Sequence, residues 1–386
     1  MSRTSLPVVL AGARGHGRSH LYNIRRLEDL GLARLAGICE LRPLDAQELE
    51  GFGSPEQSAD FGALLDSTGA RVAIVCTPIH THTDLALAAA ARGVHLLLEK
   101  PPAPSYAEFE RMAEGVRAAG TVCQVGFQSL GSHAVPAIRE LIGQGAIGEL
   151  LGIGAAGAWV RDTAYFTRAP WSGRRRIGAV DVVDGALTNP LAHAVATALA
   201  VGGSTRSEDV AGVEPELFRA HDIESDDTSC VRVTTTAGLP VTVAATLCAE
   251  EPGEPYVVVH GDLGRITFWY RQDRVLVQRA GDGPEEVLHG RTDLLENLVR
   301  HLAGDAPLLV PPEDTGAFMR VVEAVRLAPD PVVLPASAWR TVPGESSAPR
   351  RVVTGVDGAV AASAETLALF SELGAPWVSA TEVSTP

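Results

Sequence analysis

Lysine occurs once in the 386 residues, at position 100, and the other 31 of the 32 Lys+Arg residues are arginine. Arginine is a planar fork that keeps its proton near neutral pH, whereas lysine is a compact amine whose pKa yields to desolvation. A lone lysine is therefore either a chance survivor or the mark of a place that needs an amine. A second signal is Gly12-Ala13-Arg14-Gly15-His16-Gly17. Between a strand and a helix, such a turn offers backbone N–H groups and a helix dipole to a pyrophosphate. Its spacing departs from Gly-x-Gly-x-x-Gly, because Arg14 takes the place of the second glycine and Gly15 comes one residue late. Glu40, 28 residues beyond Gly12, suits an acceptor for a ribose 2′-OH and would repel a 2′-phosphate. NAD is favoured over NADP on that ground, with Arg42 nearby as the feature that supports a phosphate. A third signal is Trp159, Arg161, Tyr165, Trp171 and Arg174-Arg175-Arg176, where aromatic planes stand beside cationic donors. That mixture suits a sugar ring or an anionic substituent, or else a solvated basic face.

The elements that must position these residues follow from periodicity. Val8–Ala11, Leu35–Glu40, Arg71–Cys76, Val94–Leu98 and Thr121–Phe127 are unbroken apolar runs. Helical patterns separate them at Arg18–Leu30, Asp84–Arg92 and Tyr106–Ala118. Strands buried on both faces read this way, so a parallel, doubly wound sheet is predicted over residues 1–130. Beyond it, after a helix ending near Gly148, alternating segments at Cys230–Thr236, Val241–Leu247, Tyr256–His260 and Arg265–Tyr270 predict an open, mostly antiparallel sheet with helices on one face. This α+β domain spans 131–330, with helices at 291–303 and 313–327. Residues 331–386 are expected as a C-terminal arm, proline-rich over Pro329–Pro349, and a last helix at Val360–Leu373. The sheet's other face needs a cover that a second subunit would supply, which predicts a homodimer or homotetramer.

Cys76-Thr77-Pro78-Ile79-His80-Thr81-His82 and Glu99-Lys100-Pro101 resemble the Gfo/Idh/MocA oxidoreductases. In that family a strand ends in Thr-Pro, a histidine follows four residues on, and an alanine-rich helix leads to the next strand and Glu-Lys-Pro. Val125-Gly126-Phe127 also fits, and the resemblance covers roughly residues 6–330. It implies a Rossmann domain, a mixed α/β domain and hydride transfer on sugars or cyclitols. It gives Lys100 the role of donor to the reacting hydroxyl between nicotinamide and substrate, and Glu99 that of orienting the lysine or a cofactor ribose. Thr77, Pro78, His82 and Gln128 join Gly12, Arg14, Gly15, His16, Gly17, Glu40, Glu99 and Lys100 as candidate cofactor-binding residues. Pro101 fixes the turn, with a cis bond open to it. The second catalytic element is expected at Asn189-Pro190-Leu191-Ala192-His193, where positions i and i+4 share a helix face. His193 suits a proton acceptor. Asn189 stands where the family usually has aspartate, and Asp184 or Asp181 would have to supply the charge. Lys100, His193 and Asn189 are the candidate catalytic residues. With Gln128, Trp159, Tyr165, Trp171 and Arg174 they are also the candidate substrate contacts.

The function classes narrow accordingly. A net charge of −15 repels phosphate backbones and anionic lipid, so nucleic acid and membrane are not expected partners. Hydrophobic residues at 46% and charged residues at 20% exclude disorder for most of the chain. No apolar run reaches spanning length and the start at Met1-Ser2-Arg3-Thr4-Ser5 carries no leader pattern, so a cytoplasmic protein is expected. Cys39, Cys76, Cys123, Cys230 and Cys248 lack pairing or Cys-x-x-Cys spacing, and His16, His20 and His133 lack ligand spacing, so no metal is expected. The leading expectation is an NAD-dependent dehydrogenase of a secondary alcohol on a sugar, glycoside or cyclitol. The alternatives are a glycoside hydrolase that oxidises C3 transiently and returns the hydride, and a cofactor-binding sensor.

Overall fold

Val8, Val9, Leu10 and Ala11 are fully buried, as a strand covered on both faces requires. The chain is described here from a computed structural model over residues 5–344 and 348–378. It divides into two units, one of residues up to 131 together with 292–313, the other of 132–291 together with 314 onward.

In the first unit β1 (Leu6–Ala11), β2 (Ala33–Cys39), β3 (Glu56–Ser58), β4 (Val72–Val75), β5 (His95–Leu98) and β6 (Cys123–Val125) form one sheet in the order β3-β2-β1-β4-β5-β6. All of its pairs are parallel. Helices α1 (Gly17–Asp29), α2 (Phe61–Thr68), α3 (His82–Ala90) and α4 (Tyr106–Ala118) connect the strands. This is the doubly wound arrangement expected from the alternation. β3 and α2 had no signal, since Glu56-Gln57-Ser58 has no apolar residue and α2 is short. The strand order reverses between β1 and β4, which is where such folds hold a ligand.

The segment 292–313 belongs to this unit and not to the domain predicted for 131–330. Its helix Leu294–Leu302 packs on β5 and β6. Val125 N–H donates to Val310 O at 2.9 Å, which pairs the exposed side of the edge strand β6. Gln124, fully buried, donates to Leu294 O and Asn297 Oδ1 and accepts from Val310 N–H, so its amide is satisfied only by residues far away in the chain.

The second unit carries α5 (Ala134–Gly143), β7 (Leu150–Ala158), α6 (Thr163–Thr167), a small hairpin β8 (Arg176–Ile177) and β9 (Val180–Asp181), and α7 (Ala192–Val201). Strands β10 (Val210–Arg219), β11 (Thr228–Thr235), β12 (Pro240–Thr246), β13 (Tyr256–Gly261), β14 (Gly264–Trp269), β15 (Arg274–Arg279), β16 (Glu285–Leu288) and β17 (Val332–Val333) follow. With β7 they make an open sheet in the order β16-β15-β14-β13-β7-β12-β11-β10-β17. Only β7–β12 and β10–β17 pair in parallel, so the sheet is mostly antiparallel as expected.

Over β7, β12 and β13 both faces of this sheet are covered by the chain itself. A Cβ on Gly157 would meet Leu191, just before α7, whereas Cβ atoms on Gly152 and Gly154 would meet Leu367 and the backbone of Ala364. Residues of opposite parity on a strand point to opposite faces, so α7 and the helix Val356–Thr366 lie on opposite sides of β7. Glycine at 154 lets the second helix approach to backbone contact. Around it Phe218, Cys230, Val258, Val356, Val360, Phe370 and Trp377 form a buried cluster. His260, Thr242 and Arg232 meet the helix's last carbonyls, at Ala364 and Leu367. On the same face Arg265 pairs with Glu365 and Arg274 with Glu286. Over β7, β12 and β13 the C-terminal helix thus takes the place that the sequence reading gave to a second subunit, while Trp269 of β14 and Leu276 of β15 stay half-buried on that face. The predicted arm is built in as well, since Trp339–Pro343 pairs with Pro349–Val353, although residues 345–347 of it lie outside the described residues. The last helix starts and ends earlier than the predicted Val360–Leu373. Residues 1–4 and 379–386, on which the leader expectation and the end of the arm partly rest, also lie outside the described residues.

Candidate functional site

Gly12 ends β1 with φ 82°, and a Cβ there would lie 2.4 Å from Cys76 O at the end of β4. The turn is thereby seated at the point where the strand order reverses. Gly15 has φ 58° and nothing within 4 Å of the place a Cβ would take, while a Cβ on Gly17 would meet Gly12 O at 1.8 Å. One glycine makes the turn, one leaves backbone open to a ligand, and one packs the helix start against the turn, despite the shifted spacing. No side chain caps α1 and no acid lies in its first turn, so its N–H groups and dipole suit a pyrophosphate. Glu40 follows β2, and its Oε1 accepts from Ala13 N–H at 2.7 Å and Arg14 N–H at 3.2 Å. The Arg14 side chain grips Glu48 through two bonds and also donates to Arg42 O and Pro43 O. Arg14 therefore offers the turn its backbone, and its guanidinium braces the loop after β2. Glu48, in that grip, is held down to about 2.

Beyond β5, Glu99 is buried and accepts from Lys100 N–H at 3.1 Å and from Gln128 Nε2 at 2.7 Å. His20 Nε2 lies 3.0 Å from Glu99 Oε1, and His16 Nε2 lies 3.6 Å from it. Burial pushes the Glu99 carboxyl up, but the His16 and His20 hydrogen bonds outweigh it and hold the group well below its ordinary range. The Glu99 hydrogen bond correspondingly raises His16. His20 is absent from the candidate site residues read from the sequence, and the signal for it is its i, i+4 spacing from His16 on α1. His82 is buried and bridges Pro101 O at 2.9 Å and Thr77 O at 2.8 Å. Burial, the largest influence, lowers its pKa while the two carbonyls pull it back up. It ties the Thr77–Pro78 turn, itself closed by the Thr77–Thr81 hydroxyl pair at 2.6 Å, to the Lys100–Pro101 loop. His82 is thus a positioning group for that loop. Lys100 is half-buried there, and its peptide bond to Pro101 is cis.

In the second unit α7 is Ala192–Val201, and every residue of it is buried except His193. Apart from His193 and the buried Thr197 the helix is apolar, and the histidine in its first turn is the one side chain it leaves accessible. Asn189, one turn earlier and also half-buried, donates through Nδ2 to Asp184 Oδ1 at 2.6 Å. Of the two carboxylates considered, Asp184 is the one beside Asn189, since Asp181 pairs with Arg176 and Arg326. Asp184 Oδ2 accepts from Gly173 N–H at 2.7 Å. The residue before it, Val183, has φ 51°, which a β-branched side chain tolerates poorly. Thr188 Oγ1 donating to Val183 O and Asp226 accepting from Ala186 N–H hold this loop in place.

The expected aromatic and arginine residues separate. Arg168 lies 3.7 Å from the Tyr165 ring and 4.8 Å from the Trp171 ring, and 3.9 Å from Asp184. Tyr165 and Trp171 are thereby linked to Asn189 through Arg168 and Asp184, and Trp159 joins them through Arg161, which lies against both it and Tyr165. Arg174 is exposed and paired with Glu224 at 2.7 Å, on the rim of a different cavity of about 840 Å³. Of that cavity's other arginines, Arg175, Arg176 and Arg326 pair with carboxylates, whereas Arg219 donates to Ile223 O and leaves its Nε without an acceptor.

Residues 6–127 match the oxidoreductase family model with an NAD-binding Rossmann fold, and residues 135–267 match the Gfo/Idh/MocA C-terminal domain. The chain belongs to the Gfo/Idh/MocA oxidoreductases and binds NAD through its Rossmann unit. It is 31% identical over 138 residues to levoglucosan dehydrogenase of Pseudarthrobacter phenanthrenivorans, which is 36% of this chain and 35% of that one. It is 31% identical over 139 residues to scyllo-inositol 2-dehydrogenase (NAD(+)) of Bacillus subtilis, 35% of this chain and 40% of that one. The matched stretches thus span well under half of these relatives. A solved levoglucosan dehydrogenase in complex with NADH superposes with TM-score 0.69 at 22% identity, covering 83% of this chain and 96% of that one. No helix among the described residues is long and apolar enough to cross a membrane.

Proposed function

We propose that this protein is an NAD-dependent dehydrogenase of a secondary alcohol on a sugar, glycoside or cyclitol. The observation that carries the reading is the first turn of α7, where His193 alone of a buried helix remains accessible and Asn189 is anchored on a buried carboxylate. Bound NAD supplies the hydride acceptor. Lys100, the single amine side chain of the protein, donates to the reacting oxygen and stabilises the charge that develops on it. His193 takes the hydroxyl proton. Glu99, held ionised by His16 and His20, fixes the backbone N–H of Lys100 and the amide of Gln128. Glu40 favours NAD over NADP, because its carboxylate follows β2, where a 2′-phosphate would meet a negative charge.

The test is NADH formation across neutral sugars, glycosides, uronates and inositols, with released aglycone followed in parallel. Net NADH that disappears in Lys100→Met supports the reading. Aglycone released without net NADH would replace it by the redox-neutral hydrolase, and NAD binding with no turnover of any member would replace it by the sensor.

A further inference from the structure

We infer that the substrate carries a carboxylate and that Arg161 is its receptor. The inference rests on the reading above that the surface around Asn189 and His193 takes a carbohydrate.

Arg161 lies with its guanidinium carbon 5.0 Å from the Trp159 ring centre and 4.9 Å from that of Tyr165. Tyr165 thus has two guanidinium groups against it, Arg161 and Arg168, and like charges so placed repel. The fold compensates one of them. Asp184, almost fully buried, lies 3.9 Å from Arg168 and spends its other oxygen on Asn189. Arg161 has no such partner. Its Nη1 donates to the adjacent Val160 O at 2.8 Å, and its Nε is buried without an acceptor. The remaining arginines of the 161–176 stretch each have a carboxylate within ion-pair distance. Arg174 has Glu224, Arg175 has Asp330 in addition to four carbonyls at and beyond the end of helix Gly316–Leu327, and Arg176 has Asp181. Among the described residues Arg161 is therefore the uncompensated cation of this surface.

A half-buried guanidinium with no carboxylate beside it carries a charge that an anion from outside can compensate. A planar fork is completed best by a carboxylate, which it takes through two parallel bonds, and less well by a neutral hydroxyl. The contacts Tyr165–Arg168–Asp184–Asn189 connect this receptor to the turn that presents His193. The substrate class is thus a sugar acid, such as a hexuronate, a glycuronide or an aldonate. In the reaction the carbinol carbon becomes a ketone, its hydride reduces NAD+ to NADH and its hydroxyl proton leaves through His193. The carboxylate is unchanged and serves only for binding.

The experiment uses matched pairs, glucose with glucuronate, galactose with galacturonate and methyl glucoside with methyl glucuronide, plus glucose 6-phosphate as an anion of a different kind. NADH formation gives kcat and KM, and calorimetry with NAD present gives binding. In the pair that is turned over, the acid is expected to have the higher kcat/KM. Arg161→Gln should lower that value on the order of 10- to 100-fold, mainly through KM, while changing the neutral member by less than about 3-fold. Arg161→Lys, which keeps the charge if folding needs it, should fall between. A preference for the neutral members or for the phosphate would overturn the inference. So would an equal loss on acid and neutral substrates in both variants, which would make Arg161 structural. If no sugar is oxidised but acids bind and Arg161→Gln abolishes the binding, the inference stands and the dehydrogenase reading falls. If acids neither react nor bind, the inference falls.

Discussion

Asn189 Nδ2 sits 2.6 Å from Asp184 Oδ1, so the carboxylate missing at position 189 is present at one remove, behind the amide. The negative charge is displaced by one hydrogen bond and buried under Arg168. Asn189→Asp would set two carboxylates against each other, and one of them would have to take up a proton. We expect at least a tenfold loss of kcat near neutral pH by that repulsion, and the same from Asp184→Asn. The exchange Asp184→Asn with Asn189→Asp restores one amide and one carboxylate and should recover most of the rate. A double variant no better than the singles would show that the pair does not act as a unit.

Lys100→Met should lower kcat by on the order of 100- to 1000-fold with little change in NAD affinity, because the interaction strengthens as charge develops on the oxygen. Lys100→Arg should not restore it. His193→Ala should be slow as well, but partly recovered by imidazole or by raised pH. Steady-state rates and NAD titrations of the three variants decide this. Lys100→Met that keeps more than about a tenth of the rate would remove Lys100 from the chemistry.

Glu40→Ser should weaken NAD and improve NADP relative to it, since the acceptor for a 2′-OH and the repulsion of a 2′-phosphate go together. Glu40 also accepts from Ala13 and Arg14 N–H, so a lower melting temperature is expected alongside. An unchanged NAD/NADP ratio would show that Glu40 serves only the turn.

The Glu99 cluster gives stability a definite pH window. Glu99 is lowered well below 4.5, so its contribution is present above that value and lost as pH falls through the folded pKa. His16 is raised above 6.5, so its contribution is complete below that value and lost as pH rises through the folded pKa. The melting-temperature advantage of the wild type over Glu99→Gln should therefore be widest between these two ordinary values, pH 4.5 and 6.5, and narrow on both sides. A difference that stays the same from well below pH 4.5 to well above pH 6.5 would mean the carboxylate is not coupled to the histidines.

Phe370 is fully buried in the cluster that the C-terminal segment makes on the sheet. Phe370→Ala should cost about 3–5 kcal/mol, read from denaturant unfolding. Deleting residues from 355 onward uncovers the Gly152, Gly154 and Ala156 face, and sedimentation should show self-association or loss of solubility. A truncated chain that sediments as the intact one does would show that the segment is dispensable.

Much of this protein is written in short-range pattern. The parallel sheet was legible because each buried strand is an unbroken apolar run followed by a helical period, and β3 with α2 was missed where that contrast fails. The glycine turn, the single lysine, and the i, i+4 relation of Asn189 and His193 are likewise local facts. What only the tertiary structure decided depends on residues far apart in the chain. Gln124 is satisfied by Leu294, Asn297 and Val310, which is why 292–313 returns to the first unit. Arg174 and Arg161 read alike in the sequence, but Glu224 neutralises one, and among the described residues no carboxylate pairs with the other. Ala364 meets Gly154 across some two hundred residues, and the middle of the sheet that looked in need of a partner is covered by its own chain. Periodicity records which side of an element is apolar, and it holds no record of which distant element will cover that side or neutralise its charges.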